Sequence, residues 1–243
     1  MTRRRSGRFW VITLAAVLGV SAGFALGAWQ LSRAAQKYAL HAAMAARRTL
    51  PALDAREFAA VKNPADVVWR PVLLRGRWVA AQTVFLDNRQ MHGKVGFDVL
   101  TPFRIDGTEV VVMVQRGWVQ RNFFERDRLP AIQTPAEAVE VRGLIAPPPP
   151  KLYAFSGPEG GAIRQNLDLA EFRAPSGLPL LTGLSVQQSG PASEGLLRSW
   201  IEPGSGVETN YGYAFQWFAL SVLIAILYVW FQFIAPRRSP SRA

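Results

Sequence analysis

Residues 211–235 read YGYAFQWFALSVLIAILYVWFQFIA, a run of 25 residues without a charged side chain. An apolar helix needs only about 20 residues to cross a bilayer. A second uncharged run occupies residues 9–31, and the sequence between the two runs is polar enough to be water-soluble. The pattern predicts an α+β membrane protein in which two terminal transmembrane helices flank one mainly antiparallel β domain with short helices.

The net charge of +11 is concentrated next to the two apolar runs. Seven arginines and no acidic residue lie in the two tails: Arg3, Arg4, Arg5, Arg8, Arg237, Arg238 and Arg242. Short basic flanks indicate the cytoplasmic side of a membrane. We therefore expect both termini in the cytoplasm and no nucleic-acid partner, since the excess charge does not cover a face of the domain.

These observations predict five segments along the chain. They are a cytoplasmic tail at 1–8, a transmembrane helix at 9–31, an extracytoplasmic domain at 32–207, a second transmembrane helix at 211–235 and a cytoplasmic tail at 236–243. Only eight residues precede the first run, too few for a mitochondrial presequence. We therefore expect a bacterial inner membrane with the domain in the periplasm. The alternative, a signal peptide cleaved before Ala28, stays open because Ala25 and Gly27 are small.

The composition excludes several classes of chemistry. The chain has no Cys and two His, which excludes disulfides, thiolate metal sites and CxxC redox pairs. It also lacks GxSxG, HExxH, P-loop and strand-linked GxGxxG motifs. We therefore expect a protein that is not an enzyme and holds no metal site of its own.

The segment between the apolar runs changes from helical to strand character near residue 67. An Ala-rich stretch at 32–48 should extend the first helix as far as Pro51, with short helices at 54–61 and 166–173. β-branched and aromatic residues predict six strands, at 67–79, 83–87, 96–103, 109–119, 138–145 and 180–188. Asp106-Gly107 predicts a two-residue type I′ hairpin, and residues 91–94 predict a turn that exposes His92.

Three glycines in the first apolar run, Gly19, Gly23 and Gly27, recur every fourth residue. Small residues at this spacing share one helix face and let a second backbone approach closely. The partner is either the C-terminal helix, through Ser221 and Ala225, or another protein.

Five stretches together resemble the surfeit locus protein one family of cytochrome c oxidase assembly factors. In chain order they are LGAWQLSRAAQK at 26–37, RPVLLRGRW at 70–78, GFDVLTPF at 96–103, VQRGWV at 114–119 and YAFQWF at 213–218. The resemblance implies a membrane protein that helps haem a, or the oxidase subunit receiving it, to mature. It leaves open whether haem a is bound as a cofactor. A haem a synthesis enzyme is a further candidate partner.

The sequence departs from this family at one position. The family pattern Asn-His-Leu-x-Tyr, in which the His is associated with haem a binding in some bacterial members, corresponds here to TNYGY at 209–213. Asn210 therefore occupies the position of the His. Because an amide is a poor iron ligand beside a neutral imidazole, the resemblance does not predict direct ligation at Asn210.

Other candidate residues cluster near the membrane surface. Tyr213 and Trp217 share one helix face, which indicates either an aromatic belt or a surface that contacts haem or a partner. Gln216 should seek a hydrogen-bond partner on another helix, for which Gln30, beside Trp29, lies at a suitable depth.

Two further residues are candidates for binding. His41, with Met44 nearby, is the remaining candidate for a haem ligand. Arg116, next to Trp118, is a candidate contact for a haem propionate or a partner carboxylate.

Three functions follow from these features. The first is a non-enzymatic assembly factor for a haem-copper oxidase, the second a carrier of haem a, and the third a membrane-tethered β domain of structural or sensory use.

Overall fold

The computed structural model describes residues 7–125, 128–153, 161–200 and 206–235. These residues form two compact units, one made of the described residues up to Ala42 and from Gly206 onward, the other of Ala43–Ile201. Apolar helices at the two ends and a β-rich unit between them confirm the predicted α+β architecture. The predicted cytoplasmic tails lie outside the described residues, apart from Gly7 and Arg8.

The terminal unit is built from two long helices. Helix α1 spans Gly7–Arg48, and helix α4 spans Val207–Val229 and continues through a wider π-helical turn at Trp230–Ile234. In each helix, a segment of 18 residues has a mean hydropathy of 2.1, and only 6% of that segment is buried. Neither helix is therefore the core helix of a soluble protein. Both are long and apolar enough to cross a membrane. The Ala-rich extension of α1 beyond the apolar run is confirmed.

The glycine face of α1 packs against α4. A Cβ added at Gly27 would lie 2.6 Å from the Phe218 ring, and one added at Gly23 would collide with the Ser221 hydroxyl. Nearer the N-terminus, the Thr13 hydroxyl is 2.8 Å from that of Tyr228. The two antiparallel helices thus meet along much of their length, with Gly23 and Gly27 at two of the closest contacts.

The described residues of the β unit form seven strands, two short α-helices and two single-turn 3₁₀ helices at Pro64–Asp66 and Ala80–Gln82. The strands are β1 Pro71–Trp78, β2 Val84–Met91, β3 Lys94–Ile105, β4 Val111–Gln120, β5 Val139–Ala146, β6 Ile163–Arg164 and β7 Leu180–Gln188. The α-helices are α2 Ala55–Ala59 and α3 Leu169–Ser176, each capped by an aspartate, Asp54 or Asp168. All six predicted strands are present, and the two-residue β6 escaped prediction because it has no alternation to detect.

Five of the strands close into a ring. The sheet order is β1-β5-β7-β4-β3-β2-β6, and β1 also pairs with β3, as in Trp78 opposite Phe103. β4 and β7 are parallel, as are β2 and β6, while the other pairs are antiparallel. Alternate side chains from the five strands fill the ring, and Leu53 and Phe58 pack against them.

Helix α3 covers part of the outer surface of the sheet. Leu169 and Phe172 of α3 pack on an apolar patch that includes Leu86, Leu100 and Met113. The neighbouring part of the same face, beyond Leu100, carries polar side chains instead.

The turn predicted at 91–94 is confirmed, with His92 exposed, but the tight turn predicted at Asp106-Gly107 is not. The type I′ prediction at Asp106-Gly107 was wrong, because Asp106 does not have the positive φ that this turn requires and pairing resumes only at Ile105 and Val110. His92 and Gly93, with φ of 50° and 74°, form the two-residue turn between β2 and β3. A His in this turn accepts a backbone conformation that most side chains avoid.

Candidate functional site

A polar cleft lies between α1 and α4 at the end of the terminal unit that adjoins the β unit in sequence. It has a volume of about 440 Å³ and eight lining residues: Trp29, Gln30, Arg33, Lys37, Gly206, Thr209, Asn210 and Tyr213. Four of the eight, Trp29, Gln30, Asn210 and Tyr213, are residues that the sequence had singled out. The structure brings these four together although 180 residues separate Gln30 from Asn210.

An amide pair closes the floor of this cleft. The side-chain Nδ2 of Asn210 donates a hydrogen bond to Oε1 of Gln30 at 2.6 Å. The Oδ1 of Asn210 is buried and accepts no hydrogen bond from the described residues. A buried acceptor without a donor is costly, so this oxygen marks a place where a hydroxyl, a water or another donor can bind.

The rim of the cleft is basic and aromatic. Arg33 and Lys37 follow Gln30 on α1, and Lys37 Nζ donates to the carbonyl of Gly206 at 3.4 Å. Trp29 and Tyr213 are about half exposed, at 55% and 50%. Such a rim suits an amphipathic molecule with an anionic end, because cations and amphipathic rings both favour the membrane interface.

The prediction that Gln216 pairs with Gln30 was wrong. Gln216 is exposed, and the amide that meets Gln30 is Asn210. On α4, the residues that face α1 recur about every 3.5 positions and include Asn210, Ala214 and Ser221. Counting back from Ser221 in steps of three and four reaches Asn210 and misses Gln216, so the sequence contained the signal needed to find this pair.

The remaining candidates lie around or away from the cleft. Trp217 is half-buried, one turn from Tyr213 on α4, and its carbonyl accepts a hydrogen bond from Ser221. His41 lies on α1, one turn beyond Lys37, and is not one of the residues that line the cleft. The roles predicted for Trp217 and His41 stay predictions.

Arg116 is fully buried in the β unit. Its guanidinium donates to Thr134 Oγ1 and the Gln133 carbonyl, each at 2.7 Å, and lies 3.0 Å from Glu194 Oε2. Its Cζ also lies 4.6 Å from the centre of the Trp78 ring. The side chain that the sequence offered for contact with a partner is therefore bound inside the domain, where Glu194 balances its charge.

The cleft between α1 and α4 suits the propionate groups of a haem better than it suits the haem iron. Arg33 and Lys37 have the charge to hold propionates. None of the eight lining residues is His, Met or Cys, and the amide nitrogen at the position of the family histidine is engaged by Gln30. Tyr213 supplies the one lining side chain of a type known to ligate haem iron. The donor set thus does not fit imidazole ligation.

The SURF1 family model matches residues 17–222, which include most of both terminal helices and the whole β unit. The chain belongs to the SURF1 family. Among SURF1 relatives, a "SURF1-like protein" of Rickettsia bellii is 27% identical over 212 residues, 84% of this chain and 83% of the relative. The family membership confirms the resemblance that the five stretches indicated.

Two eukaryotic relatives match over shorter stretches. A "SURF1-like protein" of Monosiga brevicollis is 31% identical over 132 residues, 49% of this chain and 47% of the relative. The "Cytochrome oxidase assembly protein SHY1" of Saccharomyces cerevisiae is 29% identical over 128 residues, 51% of this chain and 33% of the relative. The chain thus spans a third of the yeast protein's length.

Proposed function

We propose that this chain is a non-enzymatic assembly factor for a haem-copper terminal oxidase of the cytochrome c oxidase type. The observation that carries the proposal is the SURF1 match over 17–222, together with a relative whose name assigns it to cytochrome oxidase assembly. In this proposal the protein assists insertion of haem a or stabilises the subunit that receives it.

The helix pair supplies the surface for such a partner. Most of the large apolar side chains of α1 and α4 are exposed, among them Leu18, Phe215 and Ile226. Inside a bilayer, another membrane subunit can cover these side chains as readily as lipid can. The exposed Gln216 amide would then find its partner on that subunit, and Trp29 and Tyr213 would contact it at the membrane surface.

We further propose the inner membrane as the location, with residues 1–8 and 236–243 in the cytoplasm and residues 32–207 in the periplasm. Support comes from the seven tail arginines and from two helices able to span the bilayer. The absence of Cys allows a test with two single-cysteine variants, Lys94→Cys at an exposed position of the β unit and Leu223→Cys near the middle of the second predicted span as the membrane control. A membrane-impermeant maleimide should label Lys94→Cys but not Leu223→Cys in spheroplasts, and failure to label Lys94→Cys until lysis contradicts the orientation.

Deletion of the gene tests the assembly function. We expect lower oxidase activity and less haem a bound to the oxidase, with free haem a not reduced. The matched control is the same strain carrying the wild-type chain on a plasmid. Normal oxidase in the deletion strain would contradict the proposal.

A haem a carrier is the second candidate function, and the basic rim at Arg33 and Lys37 favours it. Purification in detergent from cells that make haem a separates the two functions. A carrier should show a Soret band corresponding to one haem per chain, whereas an assembly factor without a haem site should show none. Loss of such a band in Tyr213→Phe or His41→Ala would identify the ligand.

Asn210→His provides a gain-of-function comparison. This change restores the family histidine in the cleft, so that imidazole nitrogen faces the space where Asn210 Oδ1 now lies. If the amide is what prevents ligation, the variant should acquire a Soret band that the wild type lacks. A variant that folds, judged by an unchanged thermal midpoint, and still lacks the band would show that the cleft does not accept haem.

A further inference from the structure

The outer face of the sheet has a polar part that α3 does not cover. Four strands that are neighbours in the sheet contribute polar side chains to it: Asn88, Arg89 and Gln90 from β2, Asp98 from β3, Gln115 from β4 and Gln187 from β7. Gln115 lies opposite Gln187 on β7 and opposite Leu100 on β3. Asp98 is two residues before Leu100 and therefore lies on the same face of β3. Because side chains alternate along a strand, Arg89, Asp98, Gln115 and Gln187 form a row that crosses the strands on one face.

A cleft of about 440 Å³ lies over this row. Its other walls include Met91, Pro150, Leu152 and Trp200. Trp200 is fixed in place by a hydrogen bond from its ring nitrogen to the carbonyl of Gln188. The volume falls within the range of about 300–1,000 Å³ that is typical of ligand pockets, and the mixture of apolar walls and a few polar groups is also typical.

A bulge in β2 turns Arg89 into the cleft. The register with β3 shifts between Leu86 and Arg89, where Asn88 adopts a φ of 59°. The Arg89 side chain is then buried, and its terminal nitrogen donates to the carbonyl of Gln165 at 3.0 Å. Its Nε is also buried but finds no acceptor among the described residues, since Asp98 Oδ2 is 3.9 Å away. A buried guanidinium N–H without an acceptor is costly, so Arg89 Nε is able to donate to a group bound in the cleft.

The charges in the cleft favour a neutral ligand. Arg89 and Asp98 are its two charged lining residues, and they have opposite signs. Burial raises the pKa of the Asp98 carboxyl to about 6, against the opposing effect of Arg89. A charged ligand would bring a third charge with no counterpart into this site, which burial penalises.

A peptide backbone has the properties that the cleft requires. It is uncharged, and the N–H and C=O of one residue in an extended chain point to the same side, where they can pair with an acceptor and a donor. The row crosses three strand spacings, about 14 Å at roughly 4.8 Å each, which matches about four extended residues. The Gln187 amide can donate and accept along the rest of such a segment, and Gln115 can offer its Oε1, because its Nε2 donates to Ser185 Oγ at 2.8 Å.

We propose that this cleft binds an extended, uncharged segment of polypeptide, with Arg89 Nε donating to a carbonyl and Asp98 accepting from an amide of the same residue. The inference rests on the proposed function in one respect, that the segment belongs to the oxidase subunit under assembly. The β unit thus holds the subunit outside the membrane while the helices contact it within the bilayer.

Binding of synthetic peptides tests the inference. The probes are overlapping, fluorescently labelled peptides that cover the extramembrane segments of the oxidase subunits from the same cells, titrated against the full chain in detergent. We expect one continuous stretch of sequence to bind. Asp98→Asn and Gln187→Leu should weaken it about tenfold, while Asp106→Asn and Gln120→Leu, the same changes at exposed positions, should not.

Thermal midpoints show whether each variant has kept its fold, and Gln187→Leu is the milder change because this side chain is only half-buried. The inference is wrong if no peptide binds, if all four variants bind alike, or if the cleft variants instead abolish binding of haem a. The peptide-binding experiment and the deletion experiment test the two proposals separately. A deletion strain that lacks oxidase haem a, together with no peptide binding, refutes the cleft inference alone, whereas normal oxidase in that strain refutes the assembly function.

Discussion

The cleft between α1 and α4 and the cleft on the sheet have the same volume, about 440 Å³, but are constructed in different ways. The polar groups of the first come from two helices that are held together through side chains, as Asn210 and Gln30 are. Those of the second are fixed by main-chain pairing, as between Gln115 and Gln187. Each cleft contains a buried polar atom without a hydrogen-bond partner among the described residues, Asn210 Oδ1 in one and Arg89 Nε in the other.

The difference predicts how each cleft responds to change. Helices that touch through side chains can separate slightly, and the displaced atoms are the ends of flexible groups. Paired strands cannot separate without losing hydrogen bonds. The same substitution should therefore be more costly in the sheet than in the helix pair.

Gly96→Ala should have the largest effect of the changes considered. A Cβ at Gly96 would collide with the Val119 carbonyl and lie 2.5 Å from the Trp118 ring, beside the sheet cleft. We expect a loss of about 3 kcal/mol, at the upper end for overpacking, which lowers the thermal midpoint by about 10 °C. Circular dichroism of the detergent-purified chain measures it. The matched control is Gly212→Ala, whose Cβ meets nothing within 4 Å, and equal midpoints for the two variants would contradict the prediction.

Asp98 should give the stability of the sheet cleft a pH dependence. Its pKa is raised from 3.8 to about 6 by burial, so between these two values the folded state keeps a proton that the unfolded state has lost. Stability therefore falls as the pH rises through this interval and is constant above it. Because a shift of one unit corresponds to about 1.4 kcal/mol and the carboxylate is partly solvated, we expect a loss of about 2 kcal/mol.

Thermal midpoints at pH 4.5 and 7 of the wild type and Asp98→Asn check this contribution. The neutral amide does not titrate, so the variant should lose less stability over the interval than the wild type does. The exposed Asp106→Asn serves as the control for removing a carboxylate elsewhere in the unit. Identical pH profiles for all three proteins would contradict the raised pKa.

The fold was largely predictable because its signals are local. An uncharged run long enough to cross a bilayer identifies each terminal helix, and alternating β-branched residues identify the main strands. A type I′ turn was predicted at Asp106-Gly107, between β3 and β4, because Asp-Gly is a common pair in such turns. The turn with positive φ at both central residues is instead His92-Gly93, between β2 and β3. Local preference alone does not decide which of two suitable turns will be the tight one.

The residues of the helix cleft were predicted, and their pairing was missed although the spacing of small residues on α4 indicated it, whereas the sheet cleft was not predicted at all. Trp29, Gln30 and Tyr213 stand out because they end apolar runs. Arg89 and Gln187 lie 98 positions apart, and nothing in the intervening sequence shows that they share a face. Their meeting depends on the order of four strands and on the bulge at Asn88, which are properties of the whole sheet.

Gly23→Ala tests the helix pair with the same substitution that Gly96 receives in the sheet. The added Cβ would collide with the Ser221 hydroxyl and lie 3.3 Å from the Trp217 carbonyl. We expect a loss of about 1–2 kcal/mol, because part of the strain is relieved when the serine side chain rotates. Combining it with Ser221→Ala should restore much of the stability by removing that hydroxyl.

Gly19→Ala is the matched control on the same face, because its Cβ would make an ordinary contact of 3.5 Å with Ile224. Thermal unfolding in detergent compares the four variants. If Ser221→Ala does not relieve Gly23→Ala, the strain lies in the helix backbones, and the contrast with the sheet would disappear.

The smallest effect belongs to the amide pair that forms the floor of the helix cleft. Asn210→Ala removes the hydrogen bond to Gln30 but also removes the unpaired Oδ1, so the two changes partly cancel. A double-mutant cycle with Gln30→Ala isolates the pair, and we expect a coupling of about 0.6 kcal/mol, the usual value between membrane helices. A coupling near zero would indicate that Asn210 is held by something other than Gln30. If adding haem a raises the thermal midpoint of the wild type but not of Asn210→Ala, this small contribution to stability would belong to a binding site, because a merely structural amide gives no such dependence on ligand.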